Sequence, residues 1–432
     1  MRAVTPPRAL TLVIAFLAAF ATILAPTSRS AAEPVERKRA IVLLEFSDSA
    51  LSDIDELRAS ARSVFFEAPG SVARYLETQS QGAYRSVPAG DGVFGPYTLD
   101  AKATCDPGML AKEAWGRLPS DVKVDDVSIV FPNDKARCGW GGLAQMPGDT
   151  SWFPGGLHIT TARHEIGHNL GFPHHYRHVC GEGNLVDCKQ EEVSRRTPMG
   201  GGGGEIGFSA PELLHKDWVP KDRRVSVSTS TTLRLTPLHA AKSTSGVRVA
   251  EVPLTDKDSL VIEYRTPDKS TVDEGGSRSV NVYRVHDKRY NGSVLLDSRV
   301  VGGSGWDAFL PAGKAMSDTA AKVSIAVQST AEDAAEVRIT IGDEAAPESV
   351  TPTTPSTTTP VQPSTTQAAP PTDADRLHGA NDTVPSESPK VQQGALANTG
   401  VTLPPGFLIV LAIVLVLTGV LLTGLALRRR RS

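Results

Sequence analysis

The chain has 432 residues, enough for two or three domains. Its 45 basic and 48 acidic residues give a formal net charge of −3, so no overall field attracts nucleic acid or an acidic surface, and nucleic acid is excluded as a partner. The hydrophobic share of 40% is slightly low for a globular protein, because the C-terminal region is polar.

The first 32 residues are typical of a secretory signal peptide. Arg2 and Arg8 precede an apolar run over residues 9–25, and small residues follow it up to Ala32, after which cleavage is expected. An uncleaved anchor helix is the alternative, but the apolar run is shorter than the roughly 20 residues needed to span a bilayer. The sequence therefore predicts an exported protein.

The next part of the chain mixes strand and helix patterns. Continuous apolar runs predict buried strands at residues 39–48 and 125–134, and residues 155–160 are a further candidate strand. Residues 71–80 are predicted to form a short helix. This mixture indicates an α+β domain.

The cysteine count is even, as expected for an exported protein with two disulfides. Three pairings are possible. We predict the pairs of nearest neighbours, Cys105–Cys138 and Cys180–Cys188. Zinc ligation by cysteine is the alternative, although the sequence has no CxxC spacing.

The stretch ARHEIGHNLGFPHH carries the strongest functional signal. His164 and His168 are four positions apart, so a helix places both imidazoles on one face, where they can bind one ion. Gly171 can take a positive φ and end the helix, and the chain can then return His174 as a third ligand. Glu165 would lie beside the metal as a general base without coordinating it. The pattern predicts one catalytic zinc ion.

The full spacing HExxHxxGxxH resembles the zinc-binding consensus of metzincin metallopeptidases. Metzincins have a methionine turn beneath the metal, and Met199 in RRTPMGGGG is the candidate, since proline and glycine flank it. Within the metzincins the chain resembles gametolysin-type peptidases, also in GWGGLAQMPGDTSWF and GSVARYLETQSQGAYRSV. The resemblance implies a metzincin-like catalytic domain over residues 33–222, with a substrate-pairing edge strand within residues 152–160.

Residues 223–344 have a different sequence pattern and are predicted to form an all-β, sandwich-like domain. About seven short segments of alternating polarity are separated by turn residues. No cluster of metal-binding or catalytic residue types occurs among them. Substrate docking and support of the catalytic domain both remain open as roles.

The C-terminal part is typical of a wall anchor. Residues 345–395 are rich in proline, threonine and serine and are predicted to be a disordered, wall-spanning linker. A predicted transmembrane helix at residues 407–427 and an arginine tail end the chain. Between the linker and this helix lies a pentapeptide, LANTG, formed by Leu396, Ala397, Asn398, Thr399 and Gly400.

Pentapeptide, helix and basic tail, over residues 396–432, resemble a sortase cell-wall sorting signal of the LAxTG variant. The resemblance implies that a sortase transpeptidase cuts after Thr399 and joins it to peptidoglycan, which makes the membrane anchor transient. A permanent single-pass anchor is the alternative. Either places the protein at the cell surface.

Together these features predict a secreted, wall-anchored zinc endopeptidase. It would hydrolyse extracellular proteins or peptides by metal-activated water, with Glu165 as general base. One alternative is a wall-displayed adhesin or binding protein with a vestigial zinc site. The other is a zinc amide hydrolase that acts on peptidoglycan.

Overall fold

The computed structural model describes residues 33–181, 183–201, 203, 206–267, 273, 278–297 and 309–342. The predicted signal peptide, linker, LANTG pentapeptide and transmembrane helix lie outside these residues. All described residues fall within one of two compact units of the chain. Within the described ranges, no helix is long and apolar enough to cross a membrane.

The N-terminal part is built around a five-stranded sheet in the order β2-β1-β3-β5-β4. The strands are β1 (Val35–Glu45), β2 (Tyr84–Thr98), β3 (Asp126–Phe131), β4 (Leu143–Ala144) and β5 (Thr150–Pro154). The first four in sheet order are parallel, whereas β4 runs antiparallel to β5 at the edge. Strands β1 and β3 are largely buried, which explains their continuous apolar sequences.

The described helices are short, and the first four of them pack against this sheet. The helices are α1 (Ile54–Arg62), continued by a π-helical turn at Ser63–Glu67, then α2 (Val72–Gln79), α3 (Pro107–Gly116), α4 (Ile159–Asn169) and α5 (Ala210–His215). Helix α4 packs its buried Ala162 and Ile166 into the same core as Phe153 of β5. The sheet therefore supports the helix that carries the HExxH residues.

Two sequence-based expectations about the segment before α4 are wrong. Residues 155–160 do not form a strand, because Gly155 and Gly156 take positive φ angles of 79° and 139° and Ile159 already begins the helix. The substrate-pairing edge strand expected within residues 152–160 is not found there either. Strand β5 lies between β3 and β4, so the edge of the sheet is β4.

The second sheet has eleven strands in the order β8-β10-β11-β12-β13-β6-β7-β14-β15-β16-β9. Two 3₁₀ turns, Lys221–Arg223 and Tyr290–Gly292, interrupt the strands. The strands are β6 (Tyr176–Gly181), β7 (Asn184–Val193), β8 (Arg224–Ser226), β9 (Thr231–Leu235), β10 (Val249–Pro253), β11 (Asp258–Arg265), β12 (Ser279–His286), β13 (Val294–Asp297), β14 (Ala315–Asp318), β15 (Val323–Thr330) and β16 (Ala335–Ile341).

This sheet curls so that its two halves share one core. Ile262 of β11 and Ile339 of β16 lie far apart in strand order yet belong to one buried cluster. Residues 223–344, predicted to form a sandwich-like domain, contribute strands β8 to β16, and the hydrogen bonding joins them with β6 and β7 in one continuous sheet. The chain as described is a mixed α/β protein with two large sheets and few helices.

The hairpin β6–β7 joins the histidine region to the second sheet. It starts directly after His174 and His175, and β13 pairs with β6 in parallel. Both disulfides match the predicted pairing, with Cys180–Cys188 across this hairpin and Cys105–Cys138 near the first sheet. The position of the third histidine is consequently tied to both sheets.

Candidate metal centre

The structure brings the three predicted histidines together. His164 and His168 lie one helical turn apart on α4, and their ring centroids are 4.7 Å apart. Helix α4 ends at Asn169, and Gly171 takes a φ of 94° that turns the chain back. His174 thereby comes within 5.2 Å and 4.9 Å of the other two rings, centroid to centroid. One nitrogen from each ring lies within 4.8 Å of the others.

Backbone carbonyls orient the two helical imidazoles. His164 Nδ1 lies 2.7 Å from the carbonyl oxygen of Pro198, and His168 Nδ1 lies 2.7 Å from that of Phe172. A carbonyl only accepts, so each Nδ1 carries the proton and each Nε2 presents a lone pair. These two Nε2 atoms are 3.1 Å apart. Two facing lone pairs repel unless a cation lies between them.

A zinc ion fits this donor set. Nitrogens about 2.0 Å from a tetrahedral ion are about 3.3 Å apart, close to the 3.1 Å between the Nε2 atoms of His164 and His168. Burial lowers the pKa of His164 and of His174, and burial together with the neighbouring His164 lowers the pKa of His168 to about 4. All three imidazoles are therefore neutral at pH 7, the form that binds a metal.

Glu165 lies beside the cluster in a largely apolar setting. Its side chain is buried, and no hydrogen bond or ion pair to it is found in the described part of the chain. Burial raises the pKa of Glu165 to about 7. Gly142, just before β4, is in close contact with it, because a Cβ there would come within 2.5 Å of Oε1 of Glu165. A carboxylate of this pKa can take up and release a proton near neutral pH.

Met199 lies beneath the helix, as a methionine floor requires. It is fully buried, and a Cβ on Gly167 would come within 2.1 Å of its sulfur. Gly167 occupies the turn between the two helical histidines. The turn is tight, because a Cβ on Gly200 would meet the carbonyl oxygen of Ser194 at 1.8 Å. The same turn supplies the Pro198 carbonyl that orients His164.

The methionine turn is itself held by buried hydrogen bonds. The Thr197 hydroxyl donates to both carboxylate oxygens of Glu212, at 2.9 and 2.7 Å. Glu212 closes a capping box with Ser209 at the start of α5. Ala210, which follows Ser209, donates its backbone N–H to the carboxylate of Glu263 on β11 at 2.6 Å. This chain of contacts links the second sheet to the turn under the histidines.

No protein-family model and no curated protein matches the sequence. Among solved structures, wild-type OgpA from Akkermansia muciniphila is matched over 62% of this chain and 89% of that chain, at 13% identity and a TM-score of 0.28. Catalytically inactive OgpA in complex with an O-glycopeptide (glycodrosocin) substrate is matched over 62% and 88%, at 13% identity and a TM-score of 0.29.

Sequence reasoning found the histidines, Glu165, Gly171 and Met199 but missed the groups around them. The carbonyls of Pro198 and Phe172 leave no trace in the sequence, since every residue has a carbonyl. Gly167 could have been recognised from the sequence. Glycine inside a helix costs about 1 kcal/mol relative to alanine, so its presence there indicates close packing.

Proposed function

We propose that this chain is a zinc-dependent endopeptidase of the metzincin type, resembling the gametolysin-type peptidases. The observation that carries the proposal is the facing pair of Nε2 atoms, 3.1 Å apart, with a third imidazole beside them. Glu165 follows His164 on the same helix. The signal-peptide and LAxTG patterns support export and attachment to the cell wall by a sortase. Extracellular proteins or peptides are the proposed substrates.

His164, His168 and His174 would hold the ion. A bound zinc ion polarises a carbonyl and lowers the pKa of water, which makes amide hydrolysis possible near neutral pH. Glu165 would accept the proton of the attacking water and pass it to the leaving amine, which its pKa of about 7 permits. Met199 would take no part in the chemistry and would support the rings from below.

The edge strand β4 is the proposed place for the substrate backbone. Among the described strands it has a neighbour on one side, and Gly142, just before it, is in close contact with Glu165. An extended peptide that adds to this edge would pass directly beside the general base. Because this pairing uses backbone groups, the surface around β4 would determine which substrate side chains are preferred.

The direct test is to incubate the full chain with a denatured protein mixture and a peptide library, with and without a zinc chelator. Glu165→Ala is the key variant, because it should keep its zinc and lose nearly all cleavage. Glu56→Ala, an exposed glutamate on α1, is the matched control and should cleave like the parent. Peptide cleavage by Glu165→Ala would reject the general-base role.

Two other outcomes would replace the proposal. Stoichiometric zinc without any cleavage would favour a binding protein. Release of peptidoglycan fragments without cleavage of proteins would favour an amide hydrolase.

A further inference from the structure

A cavity of about 360 Å³ lies behind helix α4. Its helix-side wall is formed by Ile166, Asn169 and Leu170. The 3.6-residue period places these three side chains on the face of α4 away from the metal-binding histidines. Whatever enters this cavity therefore does not meet the proposed catalytic site.

The lining of the cavity is positively charged. Arg37 and Arg39 of β1, Lys216 at the end of α5 and Asp126 at the start of β3 all contribute to it. Three cations and one carboxylate give a formal charge of +2. Asp126 is engaged mainly with Arg37, since its two oxygens accept from Arg37 Nη2 at 2.6 Å and from Nε at 3.2 Å.

Arg39 has donor capacity that the described residues use only in part. Its side chain is 0% exposed, and its Nη1 donates to Ser128 at 3.1 Å. Its Nε and Nη2 are buried and find no hydrogen-bond partner of good geometry among the described residues, while Nη2 forms a 3.4 Å ion pair with Asp126 and the guanidinium also interacts with the Tyr84 hydroxyl. An acceptor placed in the cavity would satisfy these buried donors, which otherwise carry the cost of desolvation.

Lys216 is the second incompletely paired cation. Its Nζ donates to the carbonyl of Leu170 at 3.3 Å, and no carboxylate among the described residues lies within 4 Å of it. Burial lowers the pKa of Lys216, so its charge is already partly desolvated. An anion in the cavity would compensate both Lys216 and Arg39.

The remaining wall suits an organic group. The rings of Tyr84 and Trp218 lie 5.9 Å apart, centroid to centroid, and both line the cavity. At about 30 Å³ per water molecule, the volume holds roughly twelve waters, more than a bare oxyanion fills. We propose that this cavity binds a small organic oxyanion, a carboxylate or a phosphate, with its charge on Arg39 and Lys216 and its apolar part against the two rings.

Binding is best measured by calorimetry on the metal-free full chain, so that no carboxylate can coordinate an ion at the histidines. Benzoate and inorganic phosphate are the two probes, and benzamide is the neutral match for benzoate. We expect saturable binding of at least one anion at millimolar concentration and at least tenfold weaker binding of benzamide. The tighter of the two anions tells whether the natural ligand carries a carboxylate or a phosphate.

Variants locate the binding. Lys216→Gln should weaken the anion at least about tenfold, the usual effect of losing a charge-assisted hydrogen bond. Arg37→Gln, which frees Asp126 to pair with Arg39, should weaken it too. Lys123→Gln, whose side chain is 75% exposed, is the matched control and should bind like the parent. Absence of binding by both anions, equal binding of benzamide, or unchanged binding in both cavity variants would overturn the proposal.

Discussion

At the scale of single residues, Gly167 controls how closely helix α4 approaches its floor. A side chain at this position would overlap the sulfur of Met199, which is fully buried, so the thioether would have to shift within the core. We expect Gly167→Ala to destabilise the protein by about 1–3 kcal/mol, the usual cost of overpacking a core. Denaturant unfolding measures this loss.

Gly116 at the end of α3 is the matched control. A Cβ there would meet no heavy atom within 4 Å. Gly116→Ala should cost nothing, since alanine is the better helix former. If both variants unfold at the parent's denaturant concentration, Met199 does not form a rigid floor under the helix.

At the scale of elements, β4 tests where the substrate lies. Gln145 N–H donates to Thr150 of β5, so alternation along the strand turns the N–H of Ala144 toward the free edge. Ala144→Pro removes that N–H and spares the ladder to β5. We expect kcat/KM for extended peptides to fall up to about tenfold, the value of one hydrogen bond, with unchanged stability. Equal kcat/KM in parent and variant would mean that substrate does not pair with β4.

The turn that carries Met199 depends on a buried hydroxyl. Thr197→Val leaves the Glu212 carboxylate without that donor and should cost about 1–3 kcal/mol of stability. Because the same turn orients His164 through Pro198, zinc affinity should fall roughly tenfold, as for other groups behind metal ligands. Thr197→Ser keeps the hydroxyl and should retain both properties. Zinc titration measures the affinity of both variants. Equal zinc affinities would show that the hydrogen bond from Thr197 to Glu212 does not position the turn.

The sequence predicted elements best where one local rule decides the structure. Spacing alone placed His164, His168 and His174 on a helix and its following turn, and glycine chemistry predicted the turn at Gly171. Strand order could not be predicted, because the edge position of β4 depends on long-range pairing that two residues, Leu143 and Ala144, do not reveal. The joining of β6 and β13 likewise links segments more than a hundred residues apart.

At the scale of the whole molecule, buried histidines make stability depend on pH. Burial, reinforced by the positive charge of Arg265, lowers the pKa of His175 and of His239 to about 3, against 6.5 for a free side chain. The unfolded chain takes up these protons below pH 6.5 and the folded chain does not. The free energy of unfolding should therefore fall as the pH drops from 6.5 toward 3.

The variant His239→Gln removes the contribution of one of these histidines to the pH dependence of the unfolding free energy. Each such histidine adds a slope of about 1.4 kcal/mol per pH unit, so the variant's unfolding free energy should change less steeply between pH 6 and 4. Parallel curves for parent and His239→Gln would show that His239 is protonated in the folded state.

The most direct test of the central claim is the zinc content of the full chain after metal removal and reloading. We expect one zinc ion per chain in the parent and in Glu165→Ala, and less than about a tenth of that in His174→Ala, which leaves two of the three ligands. His178→Ala, four residues farther along and outside the cluster, should keep its zinc. A parent chain without zinc, or full zinc content in His174→Ala, would contradict the three-histidine site.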